Sequence, residues 1–141
     1  MITRLNTINI LFNRRFALLY SCKDYVCPRC FNTIDKCTCA VQPRELINID
    51  NGIQEQIRIL NTKGYITRHC CESHDPEGGI YIAFVRDYGF DKMPSGFFYR
   101  KRTNAMYHLY KCKTDMEKFN KDKQDHLDKL LDWCNNLSQV Y

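Results

Sequence analysis

The chain has 141 residues, of which 44% are hydrophobic and 13% aromatic. This length and composition exclude a disordered protein and suit one domain with a sizeable core. The formal net charge of +5, from 21 basic and 16 acidic residues, is too small by itself to indicate nucleic-acid binding. Nine cysteines are many for this length. Their odd number favours thiolates that hold a metal in a reducing compartment over a disulfide framework.

The opening segment, residues 1–23, carries four basic residues and no acidic one. Its apolar run FALLY is too short to span a membrane and makes a poor signal peptide. A mitochondrial presequence is one interpretation of this composition. The other, which we favour, is a helix or hairpin that packs on the domain, so we expect a cytoplasmic protein with no membrane partner. The apolar residues available for that packing are Leu5, Ile8, Phe12, Phe16 and Leu19.

The next segment, CPRCFNTIDKCTC, places four cysteines within thirteen residues. A Cys-x-x-Cys turn offers two thiolates from one tight curve of the backbone, and the Cys-x-Cys pair completes a tetrahedral Zn²⁺ shell. Four cysteines leave no coordination position for water, so the spacing predicts a structural zinc site rather than a catalytic one. Disulfides or unrelated thiols are the alternative, and Cys22 is an alternative ligand. The predicted zinc ligands are Cys27, Cys30, Cys37 and Cys39.

After a connector, LINI at residues 46–49 predicts a short strand. Residues 50–64 then predict a helix, because apolar residues recur there at the spacing of one helix face. Asp50 or Asn51 would cap the beginning of this helix, and Gly64 stands where a helix-ending glycine is common.

Two strands and a hairpin follow. YITRHCC at residues 65–71 alternates like a strand, ESHDPEGG forms a loop, and IYIAFVRD at residues 80–87 is rich in β-formers. The segments 97–102 and 105–112 flank Thr103-Asn104 and predict a hairpin with a tight turn at that pair.

The segment TDMEKFNKDKQDHLDKLLDWCNNL, residues 114–137, predicts an amphipathic helix that opens with a capping box of Thr114 and Glu117. Its polar run KDKQDHLDK is typical of a solvated surface. Together these elements predict an α+β fold: a small zinc-ribbon-like head on a mostly antiparallel sheet of four or five strands packed by two helices. The predicted units are an N-terminal segment at 1–25, the head at 26–42 and the α+β body at 43–141.

The knuckle CPRCFNTIDKCTC, the stretch GIQEQIRILNTKGYITRHCCESH and the strand IYIAF together resemble a group of small uncharacterised bacterial and phage proteins. That group opens with a cysteine knuckle and continues with a helix, a Gly-Tyr turn and a Cys-Cys-x-x-His segment. The resemblance covers roughly Cys27 to Phe98 and implies a shared fold and a shared site near Cys71 and His74. It implies no particular activity. Small phage proteins often act by binding, including as inhibitors of host defence, which implies the host cytoplasm and a host protein as partner.

The Cys-Cys-x-x-His segment admits three interpretations. Strand alternation places His69 and Cys71 on one face, with Tyr65 and Thr67, and turns Cys70 toward the core. In the structural interpretation, Cys70 is a small buried hydrophobe and the loop histidine holds the loop by hydrogen bonds.

The other two interpretations are functional. Cys71 and His74 can form a thiolate–imidazole pair in a ligand-binding or catalytic loop. Alternatively, His69, Cys71 and His74 bind a second metal with an open position for water, and Glu72 acts as general base. Cys112 or His108 would complete that site. The candidate catalytic residues are Cys71, His74 and Glu72.

The hairpin segment GFFYRKRTNAMYHLYK interleaves aromatic and basic residues. Aromatic rings stack on bases and cations contact phosphates, which is how proteins hold single-stranded nucleic acid. Alternation places Phe98, Arg100 and Arg102 on one face, although ordinary core and charged surface would give a similar pattern.

We therefore predict a small zinc-binding protein that binds a phosphate-bearing ligand, either nucleic acid or nucleotide. A metal- or thiol-dependent enzyme and a protein-interaction module are the alternatives. The predicted ligand-binding residues are Arg68, His69, Cys71, His74, Arg100, Arg102 and Tyr107.

Overall fold

A computed structural model describes residues 23–73, 77–111 and 114–140. The helix or hairpin expected before residue 23 lies outside the described residues. In chain order the elements are β1 (Lys23–Val26), a 3-10 helix (Pro43–Glu45), β2 (Ile47–Asp50), α1 (Gln54–Thr62), β3 (Thr67–Cys71), β4 (Gly79–Phe84), β5 (Phe98–Arg100), β6 (Ala105–Leu109) and α2 (Met116–Asn136).

The strands form two antiparallel sheets. One contains β1 and β2, and the other has four strands in the order β3-β4-β6-β5. The predicted α+β fold with an antiparallel sheet and two helices is confirmed, with the short strand at 46–49 pairing with β1 outside the main sheet. The cysteine-rich segment lies between β1 and β2. The division into three units at residues 25 and 42 stays a prediction.

One hydrophobic core joins these elements. On β4, Ile80, Ile82 and Phe84 alternate toward the helices and are fully buried, as is Met106 on β6. The side of the four-stranded sheet that carries these residues is called the inner face here. Residues of both helices and of the β1–β2 pair belong to the same core cluster: Val26, Ile49, Ile57, Leu60, Phe119, Leu127, Leu130 and Cys134. The cysteine-bearing hairpin and the main sheet therefore share one core.

The ends of α1 show one correct and one wrong prediction. Gly64 has φ +95° and donates to Asn61 O at 3.1 Å, so the glycine that ends this helix is confirmed. The N-cap is Ile53, without a side-chain cap, so the predicted cap at Asp50 or Asn51 is wrong. The Asp50 carboxylate is used elsewhere, because it accepts from Glu72 N at 2.8 Å.

The beginning of α2 is shifted by one residue from the prediction. Asp115, rather than Thr114, is the N-cap, and its side chain accepts from Glu117 N at 3.1 Å and Lys118 N at 3.2 Å. A carboxylate can accept two amide hydrogens and also complements the positive end of the helix dipole, so it outcompetes the neighbouring hydroxyl.

The turn of the β5–β6 hairpin is longer than predicted. β5 ends at Arg100, and residues 101–104 form the turn, with Asn104 at φ +50°. Arg102 consequently lies in this exposed turn and not on a strand face, which corrects the predicted alternation.

Among residues 23–73, 77–111 and 114–140, the structure contains no helix that is both long and apolar enough to cross a membrane.

Lys63, at the end of α1, links the two helices. Its Nζ donates to Cys134 O and Asn135 O at 2.9 Å and to Leu137 O at 2.7 Å. These carbonyls lie at the C-terminal end of α2, where helix carbonyls run out of backbone donors, although Cys134 O also accepts from the C-cap residue Leu137 N at 3.3 Å. The ammonium group also opposes the negative end of the helix dipole.

We predict that Lys63→Met lowers the free energy of unfolding by about 1–2 kcal/mol, because it leaves the three carbonyls of α2 without their charged donor. Chemical denaturation followed by circular dichroism measures this. The control is Lys129→Met, which removes only the exposed pair with Asp125 at 3.0 Å and should change stability by less than about 0.5 kcal/mol. Equal effects of the two substitutions would contradict the interhelical role.

Candidate metal centre and sheet surface

The four predicted zinc ligands converge. Cys27 follows β1 directly and is fully buried, and Cys30, Cys37 and Cys39 are half-buried around it. Their sulphur atoms all lie within 4.8 Å of one another, and the four are reduced thiols. Two thiolates of a tetrahedral zinc shell lie ~3.8 Å apart, so small side-chain rotations close the shell. The cluster can hold a metal ion.

The backbone around the cluster explains why these cysteines face one point. Phe31 N donates to Cys27 O at 2.8 Å, and Cys27 N donates to Asn32 O at 3.0 Å, which closes a tight turn with Phe31 at φ +58°. Arg29 N donates to Cys27 Sγ at 3.3 Å. In the second half, Cys39 N donates in the same way to Cys37 Sγ at 3.3 Å. Such amide donors favour the thiolate, which is the form that binds metal.

The thiols of Cys30 and Cys39 differ in pKa. Burial acts to raise the pKa of Cys30, but hydrogen bonds from Asn32, Cys37 and Cys27 outweigh it and lower that pKa to about 7. The hydrogen bond to Cys30, followed by burial, raises the pKa of Cys39 to about 12. Without metal, Cys30 therefore ionises before Cys37 and Cys39, whose pKa values are raised, because its neighbours donate their S–H groups to it.

The Cys-Cys-x-x-His strand lies at the edge of the main sheet. His69 pairs with Ala83 and Cys71 with Tyr81, whereas Cys70 pairs with the core residue Ile82. The prediction that Cys70 packs on the core is confirmed, since it contacts the core cluster.

β3 has a register irregularity between Thr67 and His69. Its side chains therefore do not alternate between the two faces along the whole strand, as the sequence predicted. Thr67 pairs with the core residue Phe84, and Tyr65 is buried. The prediction that these two share a face with His69 and Cys71 is therefore wrong.

The candidate catalytic residues do not all lie within the described part of the chain. Glu72 is 3% exposed, its carbonyl accepts from the Tyr110 hydroxyl, and its carboxylate lies 3.8 Å from Lys123 Nζ. Cys71 pairs with Tyr81, and its Sγ accepts from Ser73 N at 3.2 Å. His74 and Cys112 lie outside the described residues, so the catalytic pair and the second metal site built on His69, Cys71 and His74 stay predictions.

The side of the main sheet opposite the helices, called the outer face here, carries three aromatic rings side by side. Tyr81, Tyr107 and Phe98 are direct cross-strand neighbours on β4, β6 and β5. The Tyr81 and Tyr107 ring centroids lie 6.1 Å apart, and those of Phe98 and Tyr107 lie 5.5 Å apart. Arg100 Cζ lies 5.3 Å from the centroids of Phe98 and Tyr107. These rings with Arg100 are called the aromatic row.

A cavity of about 350 Å³ lies at the β3 end of this row, between β2 and β3. Arg68 and His69, both exposed, and the ring of Tyr81 line it. Two of the predicted ligand-binding residues, Arg68 and His69, thus line this cavity, two others, Arg100 and Tyr107, belong to the aromatic row, and Tyr81 is common to both. Cys71 pairs with Tyr81 across β3 and β4. Tyr81 was missed from the sequence, although its position between buried Ile80 and Ile82 is the signal that would have found it.

Comparisons of this chain with protein-family models, with curated proteins and with solved structures each found no match. The resemblance to small bacterial and phage proteins therefore stays a prediction, as do the host partner and the compartment that it implies.

We predict that purified protein contains a tightly held metal equivalent that Cys27→Ser removes. The same substitution should lower the free energy of unfolding by ~4 kcal/mol or more, the size expected when a structural metal is lost. Elemental analysis and thermal denaturation measure the two effects. Cys71→Ser, outside the cluster, should keep both the metal and the melting temperature. Wild-type metal content and stability in Cys27→Ser would contradict a metal centre here.

A second prediction concerns thiol reactivity after metal removal. Because the Cys30 pKa is lowered to about 7 and burial raises that of Cys134 to about 12, iodoacetamide should alkylate Cys30 before Cys134. The Cys30 rate should rise through about pH 7 and level off above it, since the thiolate is the reactive form. Peptide mapping by mass spectrometry gives the order. Alkylation of Cys134 before Cys30 would contradict the assigned thiolate.

Proposed function

We propose that this chain is a zinc-stabilised protein that binds single-stranded nucleic acid on the outer face of its four-stranded sheet. Zinc is the proposed metal because four cysteine thiolates form the closed tetrahedral set that it prefers in structural sites. The metal would stabilise the fold and take no part in chemistry, since four protein ligands leave no position for a substrate.

The aromatic row is the observation that carries the binding proposal. Tyr81, Tyr107 and Phe98 stand on three adjacent strands with 5.5–6.1 Å between neighbouring centroids. Bases stack on such side chains whatever their sequence, and each stacked base contributes ~1–3 kcal/mol. Antiparallel sheets that bind single-stranded RNA in other proteins use exposed aromatic residues on their central strands in this way.

Positive charge adjoins the row at both ends. Arg100 lies over two of its rings, and Arg68 lines the cavity beyond Tyr81. These guanidinium groups are placed to contact phosphates on either side of stacked bases. Both helices pack on the inner face, so they do not cover this surface.

Single strands are favoured over a lone nucleotide because the row extends across three strands and a nucleotide would engage only one part of it. A duplex is disfavoured, since its bases are already stacked and paired and cannot reach the rings. The binding would be weakly sequence-specific, because ring stacking does not read base edges.

The test is fluorescence anisotropy with labelled oligothymidylate and a mixed-sequence RNA, with duplex DNA and a nucleoside triphosphate as competitors. We expect single strands to bind more tightly than either competitor. Tyr107→Leu should weaken binding by about fivefold or more, whereas Tyr107→Phe, which keeps the ring, should bind like wild type. Arg100→Gln should reduce the slope of log Kd against log salt by about 0.7, and the exposed control Arg44→Gln should leave the slope unchanged.

Two results would contradict the proposal. One is the absence of binding to any single strand at low salt by protein that carries its metal. The other is binding that Tyr107→Leu and Arg100→Gln leave unchanged, which would place the nucleic acid on another surface. If the nucleoside triphosphate competes with equal affinity, the result would contradict a single-strand ligand and indicate a nucleotide instead.

A further inference from the structure

A second group of metal-ligating side chains lies on the inner face, away from the cysteine cluster. His108 on β6 meets Asp122 and His126, which are one turn apart on α2. The Asp122 carboxylate oxygen Oδ1 lies 3.2 Å from His108 Nε2 and 2.7 Å from His126 Nδ1. One ligand atom from each residue lies within 4.8 Å of the others. His108 is 3% exposed, and the other two are half-buried.

Both ring nitrogens of His108 face acceptor oxygens, which indicates a cation in this cluster. Its Nδ1 lies 2.9 Å from Gly96 O, and a carbonyl can only accept, so Nδ1 carries a proton. Its Nε2 faces the Asp122 carboxylate, which is also an acceptor. A neutral His108 ring would therefore point a lone pair at a carboxylate oxygen. The contact is favourable only when a second proton or a metal ion lies there.

The second imidazole places a further ligand nitrogen beside this contact. His126 Nδ1 lies 2.7 Å from Asp122 Oδ1 and 2.8 Å from Asp122 O, and a neutral ring with its proton on Nδ1 donates to these oxygens and keeps a lone pair on Nε2. The His108 and His126 rings stack with centroids 3.5 Å apart and planes at 12°. A proton on His108 would satisfy the Asp122 contact alone, whereas a divalent ion would use the carboxylate and both imidazoles.

The surroundings match a ligand shell. Metal-bound histidine usually donates its other N–H to a carbonyl or carboxylate, as His108 does to Gly96. Ligand atoms of a tetrahedral zinc shell lie ~3.3 Å apart, close to the 3.2 Å between His108 Nε2 and Asp122 Oδ1. The rings are nearly parallel, so coordination requires His126 to turn until its lone pair converges with that of His108. The cavity beside it provides the space.

That cavity has a volume of about 550 Å³ and is lined by all three residues. Lys111 and Lys118 form part of its wall, with Phe98 and Leu109 as apolar neighbours. We propose that His108, Asp122 and His126 form a second divalent-metal site, for Zn²⁺ or a similar first-row ion, with an open position toward this cavity. Two imidazoles and one carboxylate suit such ions, and the lysines favour an anionic fourth ligand or a bound water.

Gly96 is part of the same arrangement. A Cβ at this position would lie 2.4 Å from His126 Nε2 and 3.5 Å from His108 Nδ1, and the residue has φ +85°. Only glycine leaves room for the His126 imidazole there, and its carbonyl accepts from the His108 ring.

The experiment is metal titration of untagged, full-length protein, by native mass spectrometry and by calorimetry with added Zn²⁺. Wild type should bind one equivalent beyond the cysteine-bound metal. Asp122→Asn and His126→Gln should each weaken this additional equivalent by ~100-fold or more, since even second-shell changes cost ~10–100-fold. The matched control is Asp128→Asn, an exposed aspartate on the same helix. It should keep the additional equivalent.

The absorption spectrum of bound Co²⁺ reports on the metal ligands directly, so it distinguishes loss of a ligand from loss of folding. Co²⁺ at this site should give ligand-field absorption without the thiolate charge-transfer band of the cysteine cluster, and Asp122→Asn should abolish that absorption. Thermal denaturation without added metal shows whether each variant is folded, and Asp122→Asn is the variant of closest shape. No additional equivalent in wild type, or one that survives in both Asp122→Asn and His126→Gln, would overturn the proposal.

Discussion

The alternation of side chains along β4 and β6 determines where the aromatic row and the histidine–aspartate cluster lie. Ile80, Ile82 and Phe84 turn toward the helices and form the core with Met106, so the intervening Tyr81 and Tyr107 must point to the outer face. His108 falls in the inward set and therefore meets α2. A register shift of one residue in either strand would exchange these surfaces and would bury the aromatic row.

The two metal-ligating clusters differ in the chemistry that they permit. The cysteine cluster would be closed once four thiolates bind a metal, and it would then fix a short hairpin that has little core of its own. Val26 and Ile49 of that hairpin bury their side chains in the shared core. The histidine–aspartate cluster offers three ligands beside a cavity of about 550 Å³. With metal bound, the first would serve the fold, and the second would give the inner face a place for a small ligand.

The sequence was most informative where a pattern is local. Cysteine spacing predicted the cluster, helical periodicity predicted both helices, and Gly64 correctly ended the first of them. Predictions from the sequence were wrong where the interacting residues are far apart in the chain. Asp50, for example, caps no helix because its carboxylate accepts from Glu72 N. The polar run of α2 is solvated surface only in part, since Lys121, Gln124, Asp125 and Asp128 are exposed but Asp122 contacts both His108 and His126. The i, i+4 spacing of Asp122 and His126 is visible in the sequence, but the third residue of the cluster, His108, is brought to them only by the packing of α2 on β6.

The central claim is that single-stranded nucleic acid lies on the outer face of the main sheet. Ultraviolet crosslinking of bound oligothymidylate, followed by mass spectrometry of the digested protein, tests it most directly because it reports the contacting residues themselves. The account predicts crosslinks to Tyr81, Tyr107 or Phe98, in peptides of β4, β5 and β6. Crosslinks confined to α2 or to the cysteine cluster would contradict it.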